Sequence, residues 1–204
     1  MSFLTDIETI RARAREQIES GALTAGYELD RSKVCELLNE ALATELLCIL
    51  RYKRHYFMAD GLKAEVAAAE FLEHAEEEQE HADRIAERIV QLGGEPDFNP
   101  DHISSKAHAE YSEGDTLWDM LKEDLVAERI AIDTYREMVR FFGDKDPTTR
   151  RMLEDILAQE EEHADDLAGL LAGSTQHCRQ GVASRMMKTA RRMAGRFFVS
   201  TILA

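Results

Sequence analysis

One arrangement of acid and imidazole is written twice in this chain. "EEEQEHADRIAERI" covers residues 76–89 and "QEEEHADDLAGLL" covers 159–171, and each holds a Glu-x-x-His: Glu78 with His81, and Glu160 with His163. A lone glutamate precedes each pair at nearly the same offset, Glu45 by 33 residues and Glu128 by 32. A tyrosine then follows each lone glutamate by seven residues, Tyr52 and Tyr135. Residues three or seven apart share one face of an α-helix. Each half of the chain therefore reads as two helices, one carrying a lone carboxylate and the other a carboxylate–imidazole pair. A fold that uses the pattern must turn all four faces inward.

The punctuation agrees. Only 3 Pro and 11 Gly among 204 residues leave long uninterrupted runs, and no strand pattern competes with them. A short helix is expected from a cap at Thr5 or Asp6 to near Ser20 and Gly21, and a second from Asp30 or Ser32 to about Gly61. A third runs from about Lys63 to Leu92, a fourth from Thr116 to Phe142, and a fifth from Pro147, a residue suited to a first helical position, to Leu171. "EPDFNPDHISSKAHAEYSEGD" (95–115) holds two of the prolines and reads as a long connection, and "AGSTQHCRQG" (172–181) reads as a break. Short, long and short links between four long helices imply an all-α four-helix bundle with one long crossover. The bundle is assigned to 31–172, with a helical extension at 1–30 and a basic amphipathic tail or helix at 173–204.

A formal charge of −15 argues against nucleic acid or anionic membrane as partners of the bundle and favours cations. Cys35, Cys48 and Cys178 form no Cys-x-x-Cys motif, which suits a reducing cytoplasm. The N-terminal "MSFLTDIETIRARAREQ" lacks the apolar core of a secretory leader, and no stretch approaches the ~20 apolar residues of a membrane span.

One Glu-x-x-His among 40 acids and 7 histidines is a weak signal. Two at matching offsets are a strong one, and Glu45 lies inside "ALATELLCIL", where an unpaired carboxylate is costly. Four carboxylates and two imidazoles in two half-sites suit a pair of iron or manganese ions, because oxygen-rich ligation accommodates both Fe(II) and Fe(III). His74, seven before His81 on the same face, is either a ligand of an additional ion or a histidine hydrogen-bonded in a polar interior. Glu77, Glu80, Glu161 and Glu162 read as solvent or cavity acids, and His102, His108 and His177 as surface residues of loops.

The stretches "LNEALATELLCILRYKRHYF", "FLEHAEEEQEHADRIAERIVQLGGEPDF", "DLVAERIAIDTYREM" and "ILAQEEEHADDL" resemble bacterioferritin and the bacterioferritin-like Dps-like proteins over residues 31–172. The resemblance implies a ferritin-like bundle in which Glu45 and Glu128 are terminal ligands, Glu78 and Glu160 bridge two irons, His81 and His163 supply nitrogen, and Tyr52 sits beside the site. It implies ferroxidase activity, with Fe(II) oxidised by dioxygen or hydrogen peroxide and Fe(III) stored in a cytoplasmic homo-oligomeric shell of twelve or twenty-four subunits. Two Fe ions per subunit are expected, with Mn or Zn as substitutes. Where bacterioferritin writes its haem-ligating Met after the bridging glutamate, this chain has Gln79, so no haem is expected. At the positions of the cysteine pair of thiol-containing Dps-like relatives stand Arg129 and Arg150.

Residues 174–204 carry Arg179, Arg185, Lys188, Arg191, Arg192 and Arg196 and no acid. On a helix, Met186, Ala190, Met193 and Phe197 would line an apolar stripe opposite the cations. Subunit contact, DNA binding and an interfacial membrane or partner helix are the readings of this tail. The alternatives to iron storage are a Dps-like DNA-protecting shell and a non-storage di-metal oxidoreductase: a peroxidase, an oxygenase or a manganese catalase.

Overall fold

The computed structural model describes residues 5–60 and 64–199, with side chains described through residue 173. Among the described residues six α-helices follow in order: α1 Ile7–Arg13, α2 Arg31–Met58, α3 Glu65–Gln91, α4 Pro100–Lys106, α5 Leu117–Phe142 and α6 Pro147–Val199. No strand occurs among the described residues. Caps set the starts. Asp30 accepts from the amides of Ser32 and Lys33 ahead of α2, Thr116 and Asp119 form a capping box on α5, and Asp146 accepts from the Thr149 amide beside Pro147.

α2 packs chiefly on α3, and α5 on α6. The apolar residues form two clusters, one including Leu38, Leu42, Ile85, Ile89, Phe142 and Ile156, the other Leu47, Tyr52, Phe71, Leu121 and Leu167. On all four long helices the glutamates of the repeat fall between the two. Along α2 the first cluster precedes Glu45 and the second follows; along α3 and α5 the order reverses around Glu78 and Glu128; along α6 it reverts around Glu160. α3 and α5 therefore run in the same direction, and the chain between them must return along the whole bundle. That return is the long crossover.

The crossover is stitched to α2 rung by rung. Asn39 Nδ2 donates to the Glu95 carbonyl and its Oδ1 accepts from the Asp97 amide, and Thr44 accepts from the His108 amide. Arg51 donates to the Glu110 carbonyl, and His55 Nε2 lies 3.1 and 3.0 Å from the carbonyls of Ser112 and Glu113. Behind these rungs Arg51, His55 and Asp124 form a buried ionic cluster, Asp124 receiving Arg51 Nε on one oxygen and His55 Nδ1 on the other, each at 2.7 Å.

Three expectations change. The crossover contains the helix α4, started by Asn99 as cap and Pro100 in its first turn, so His102 is helical rather than in a loop. His108 lies beyond that helix as an exposed residue of the connection, as expected, with Thr44 3.4 Å and Glu40 3.6 Å from its ring. The first helix ends at Arg13, and Ile18–Ser20 form a separate 3-10 turn. The break expected at 172–181 is absent, because α6 passes Gly169 and Gly173 and continues to Val199; a glycine without an accompanying proline costs a helix only ~1 kcal/mol.

Candidate metal centre

Glu45 from α2, Glu78 and His81 from α3, Glu128 from α5, and Glu160 and His163 from α6 meet between the two apolar clusters, each at most 2% exposed. Their ligand atoms fall into two overlapping groups within reach of a metal ion: Glu45, Glu78, His81 and Glu160, and Glu78, Glu128, Glu160 and His163. Glu78 and Glu160 belong to both. The structure thus brings together all six residues of the sequence repeat, and its geometry separates two shared carboxylates from two unshared ones.

Each imidazole is held from behind. His81 Nδ1 faces Glu160, Glu45 and Glu78 at 3.2, 3.3 and 3.4 Å, while its Nε2 lies 3.0 Å from Gln159 Oε1. His163 Nδ1 faces Glu160, Glu78 and Glu128 at 3.6, 3.7 and 3.8 Å, while its Nε2 lies 2.7 Å from Glu77 Oε2. Gln159 and Glu77 are the residues just before the two shared glutamates, so the duplication extends one position further than the Glu-x-x-His. An outer partner of this kind fixes the ring orientation and leaves the inner nitrogen free for a metal. Glu77 is thereby corrected from a solvated acid to an orienting one; Glu161, by contrast, pairs with Arg136 at the surface.

The tyrosines cross over. Tyr52 on α2 donates to Glu128 on α5, and Tyr135 on α5 donates to Glu45 on α2. Each hydroxyl holds one oxygen of an unshared glutamate and leaves the other for the centre. His74 Nδ1 lies 3.2 Å from the Tyr52 hydroxyl, and its ring stacks on His163 at 4.1 Å between centroids. Gln79 is exposed and donates to Asp83. Arg129 is exposed, and Arg150 donates to the Gly143 carbonyl and pairs with Glu154.

Among the described residues, six buried side-chain atoms lack a hydrogen-bond partner: Glu45 Oε2, Glu78 Oε1, His81 Nδ1, both oxygens of Glu160, and His163 Nδ1. All point into the same small space, and so dense a cluster of unpaired polar atoms calls for protons or metal cations among them. The titration behaviour agrees. Burial, then the charges of Glu45 and Glu128, raise Glu160 to about 8. Burial and then Glu78 raise Glu45 as well. Burial pulls His81 down, but the facing carboxylates of Glu160, Glu45 and Glu78 outweigh it and hold the ring well above the ordinary histidine range; His163 is raised the same way by Glu128, Glu160 and Glu78. Protons held by Glu160, His81 and His163 would compete with metals for the same atoms. Binding Zn(II), a redox-silent probe, is expected to release at least one proton per imidazole at neutral pH, and Zn(II) affinity should weaken on acidification. An indicator dye in weakly buffered solution reads this directly, and a titration without proton release would count against metal ligation by His81 and His163.

The sequence profile of the ferritin-like domain matches residues 35–174. The chain belongs to the ferritin-like family. Its ferritin-like bundle superposes with a TM-score of 0.72 and 34% identity on the bacterioferritin-related protein of Bacteroides fragilis, described as a dodecameric thioferritin, over 74% of this chain and 92% of that one. It superposes on the Desulfovibrio desulfuricans bacterioferritin, described with a diiron site in different catalytic states, with a TM-score of 0.65 and 26% identity over 76% and 86% of the two chains. It is 34% identical over 158 residues to the "DNA protection during starvation protein" of Pyrococcus furiosus, covering 75% of this chain and 85% of that one. No helix among the described residues is long and apolar enough to cross a membrane.

Proposed function

We propose that the six converging side chains bind two Fe(II) ions for oxidation, and that the chain stores the product as Fe(III) in a shell of identical subunits. Glu45 and Glu128 serve as terminal ligands, Glu78 and Glu160 as bridges, and His81 and His163 as nitrogen ligands through Nδ1. The observation that carries this reading is the set of six buried, unbonded atoms on five of these six residues. Two bound Fe(II) ions would supply two electrons to one molecule of oxidant, hydrogen peroxide taking up two protons and leaving as two waters, or dioxygen being reduced to peroxide.

The protein's own part is positioning and charge. Four carboxylates offset the charge of two divalent ions, and a carboxylate can shift between one and two donor oxygens as the ions contract on oxidation. Tyr52 and Tyr135 hold the terminal glutamates in place, and Gln159 and Glu77 do the same for the imidazoles. The −15 charge of the chain draws cations towards it. The likeness to a dodecameric relative and to bacterioferritin supports the shell and the iron. The DNA-protecting alternative rests on the basic tail, whose side chains lie outside the described residues.

The test is aerobic Fe(II) addition followed by light scattering and metal analysis of the purified protein. A many-subunit assembly retaining iron far beyond two ions per chain is expected. A monomer or dimer holding only two metals per chain would sink storage and favour a di-metal oxidoreductase, and oxygen evolution from peroxide would single out catalase chemistry.

A further inference from the structure

A second cluster of ligating atoms lies one helical turn from the centre. Glu70 and His74 are four apart on α3, and Asp166 is three past His163 on α6. One ligand atom from each lies within 4.8 Å of the others. His74 is 1% exposed, whereas the Glu70 and Asp166 side chains are 29% and 52% exposed. The cluster therefore has a buried nitrogen at its base and two carboxylates at its mouth.

The hydrogen bonding around His74 shows what its base lacks. The Tyr52 hydroxyl donates its single proton to Glu128, so towards His74 it can only accept. His74 Nδ1 must then carry the proton of that 3.2 Å contact, which in the neutral ring leaves the lone pair on Nε2. Nε2 makes no hydrogen bond among the described residues and faces Glu70 Oε2 at 3.8 Å and Asp166 Oδ2 at 4.0 Å. Those separations are too long for a hydrogen bond. They approach the spacing of two donors that share one ion at ~2.1 Å from each. A lone pair aimed at two carboxylate oxygens at this distance is repulsive, and a cation among the three atoms turns the repulsion into attraction.

We infer that Glu70, His74 and Asp166 form a third divalent-cation site, which takes Fe(II) from solvent and passes it to the di-metal centre behind His163. One nitrogen and two carboxylates suit Fe(II), Mn(II) or Zn(II). The site lies between solvent and the centre: its two acids face outward, and its histidine stacks on His163 at 4.1 Å. Glu77 continues the acidic path, since its exposed side reaches solvent while its Oε2 holds His163. The ion-binding claim stands by itself; the delivery role rests on the di-metal reading.

Crystals of the full chain soaked in Zn(II) and measured at the zinc edge locate every bound ion. A peak among Glu70, His74 and Asp166, in addition to those between the helices, is expected. The double variant Glu70→Gln with Asp166→Asn changes two partly exposed side chains at constant shape. It should lose that peak, bind one fewer ion per chain, and oxidise limiting Fe(II) about 10-fold more slowly, with the rate at saturating Fe(II) unchanged. No peak at the cluster in the wild-type chain would overturn the site. A peak there with wild-type rates at limiting Fe(II) in the double variant would overturn delivery. A peak at the cluster with none between the helices would instead refute the di-metal reading and leave the site standing.

Discussion

Replacing Glu160 with glutamine is expected to lower Fe(II) oxidation by about 100-fold or more while leaving the metal-free bundle folded and more stable than the parent. Outer partners of metal ligands already control affinity or activity 10–100-fold, and Glu160 belongs to both ligand groups, so its loss strikes both ions at once. The stability gain follows from its proton. Glu160 is buried first of all, and then crowded by Glu45 and Glu128, which raises its carboxyl to about 8. An acid whose folded pKa is raised disfavours folding wherever the unfolded chain would ionise it. That penalty is absent below about pH 4.5 and grows towards pH 8. At pH 7 it is on the order of 1–3 kcal/mol, and a neutral glutamine of the same shape removes it. Stopped-flow oxidation and denaturant unfolding of the metal-free protein at pH 5 and pH 7 measure both halves. An oxidation rate within a few-fold of the parent would overturn the bridging role. Equal stability of parent and variant at pH 7 would show that the crowding of the empty centre is relieved in some other way.

The centre was legible because it is written in periodicity. Glu45, Glu78, His81, Glu128, Glu160 and His163 recur at offsets that a helix converts into direction, and their placement between apolar runs predicts burial without reference to any neighbour. Glu77 is not legible in the same way, because one acid within a run of acids carries no local mark. Its signal lay in the repeat, where Gln159 occupies the matching position. The helix α4 was also legible in principle: Asn99 followed by Pro100 is a cap followed by a first-turn proline, but the two prolines of the segment read as loop. The Arg51–His55–Asp124 cluster had no such signature. His55 and Arg51 find their partners on α5 and on backbone carbonyls of the crossover, at separations of 57–73 residues. Only the path of the crossover brings those together.

That cluster makes the second large prediction. Asp124→Ala should destabilise the bundle by about 3–5 kcal/mol, because it leaves the Arg51 charge, 1% exposed, without its counter-ion. Against a total stability of ~5–15 kcal/mol for a domain, this is a large fraction, and at ~2–4 °C per kcal/mol it lowers Tm by roughly 6–20 °C. Arg51 would retain the Glu110 carbonyl and a contact with Cys48 Sγ, neither of which carries a compensating charge. His55 would keep its two crossover carbonyls but lose the carboxylate that sets its ring orientation. The control is Asp97→Ala, which breaks ion pairs with His102 and Lys106. Its partners His102 and Lys106 are largely solvent-exposed, and the loss should cost much less than that of Asp124. The contrast separates burial from the number of contacts, since Asp97 and Asp124 each hold one basic side chain and one histidine. Replacing Arg51 by Met together with Asp124 by Leu should recover much of the loss in global stability, because both charges then leave the interior together. It should not restore the rung from Arg51 to the Glu110 carbonyl, so hydrogen exchange around Glu110 should remain faster than in the parent. If Asp124→Ala unfolds at the parent's denaturant concentration, the buried cluster contributes nothing net.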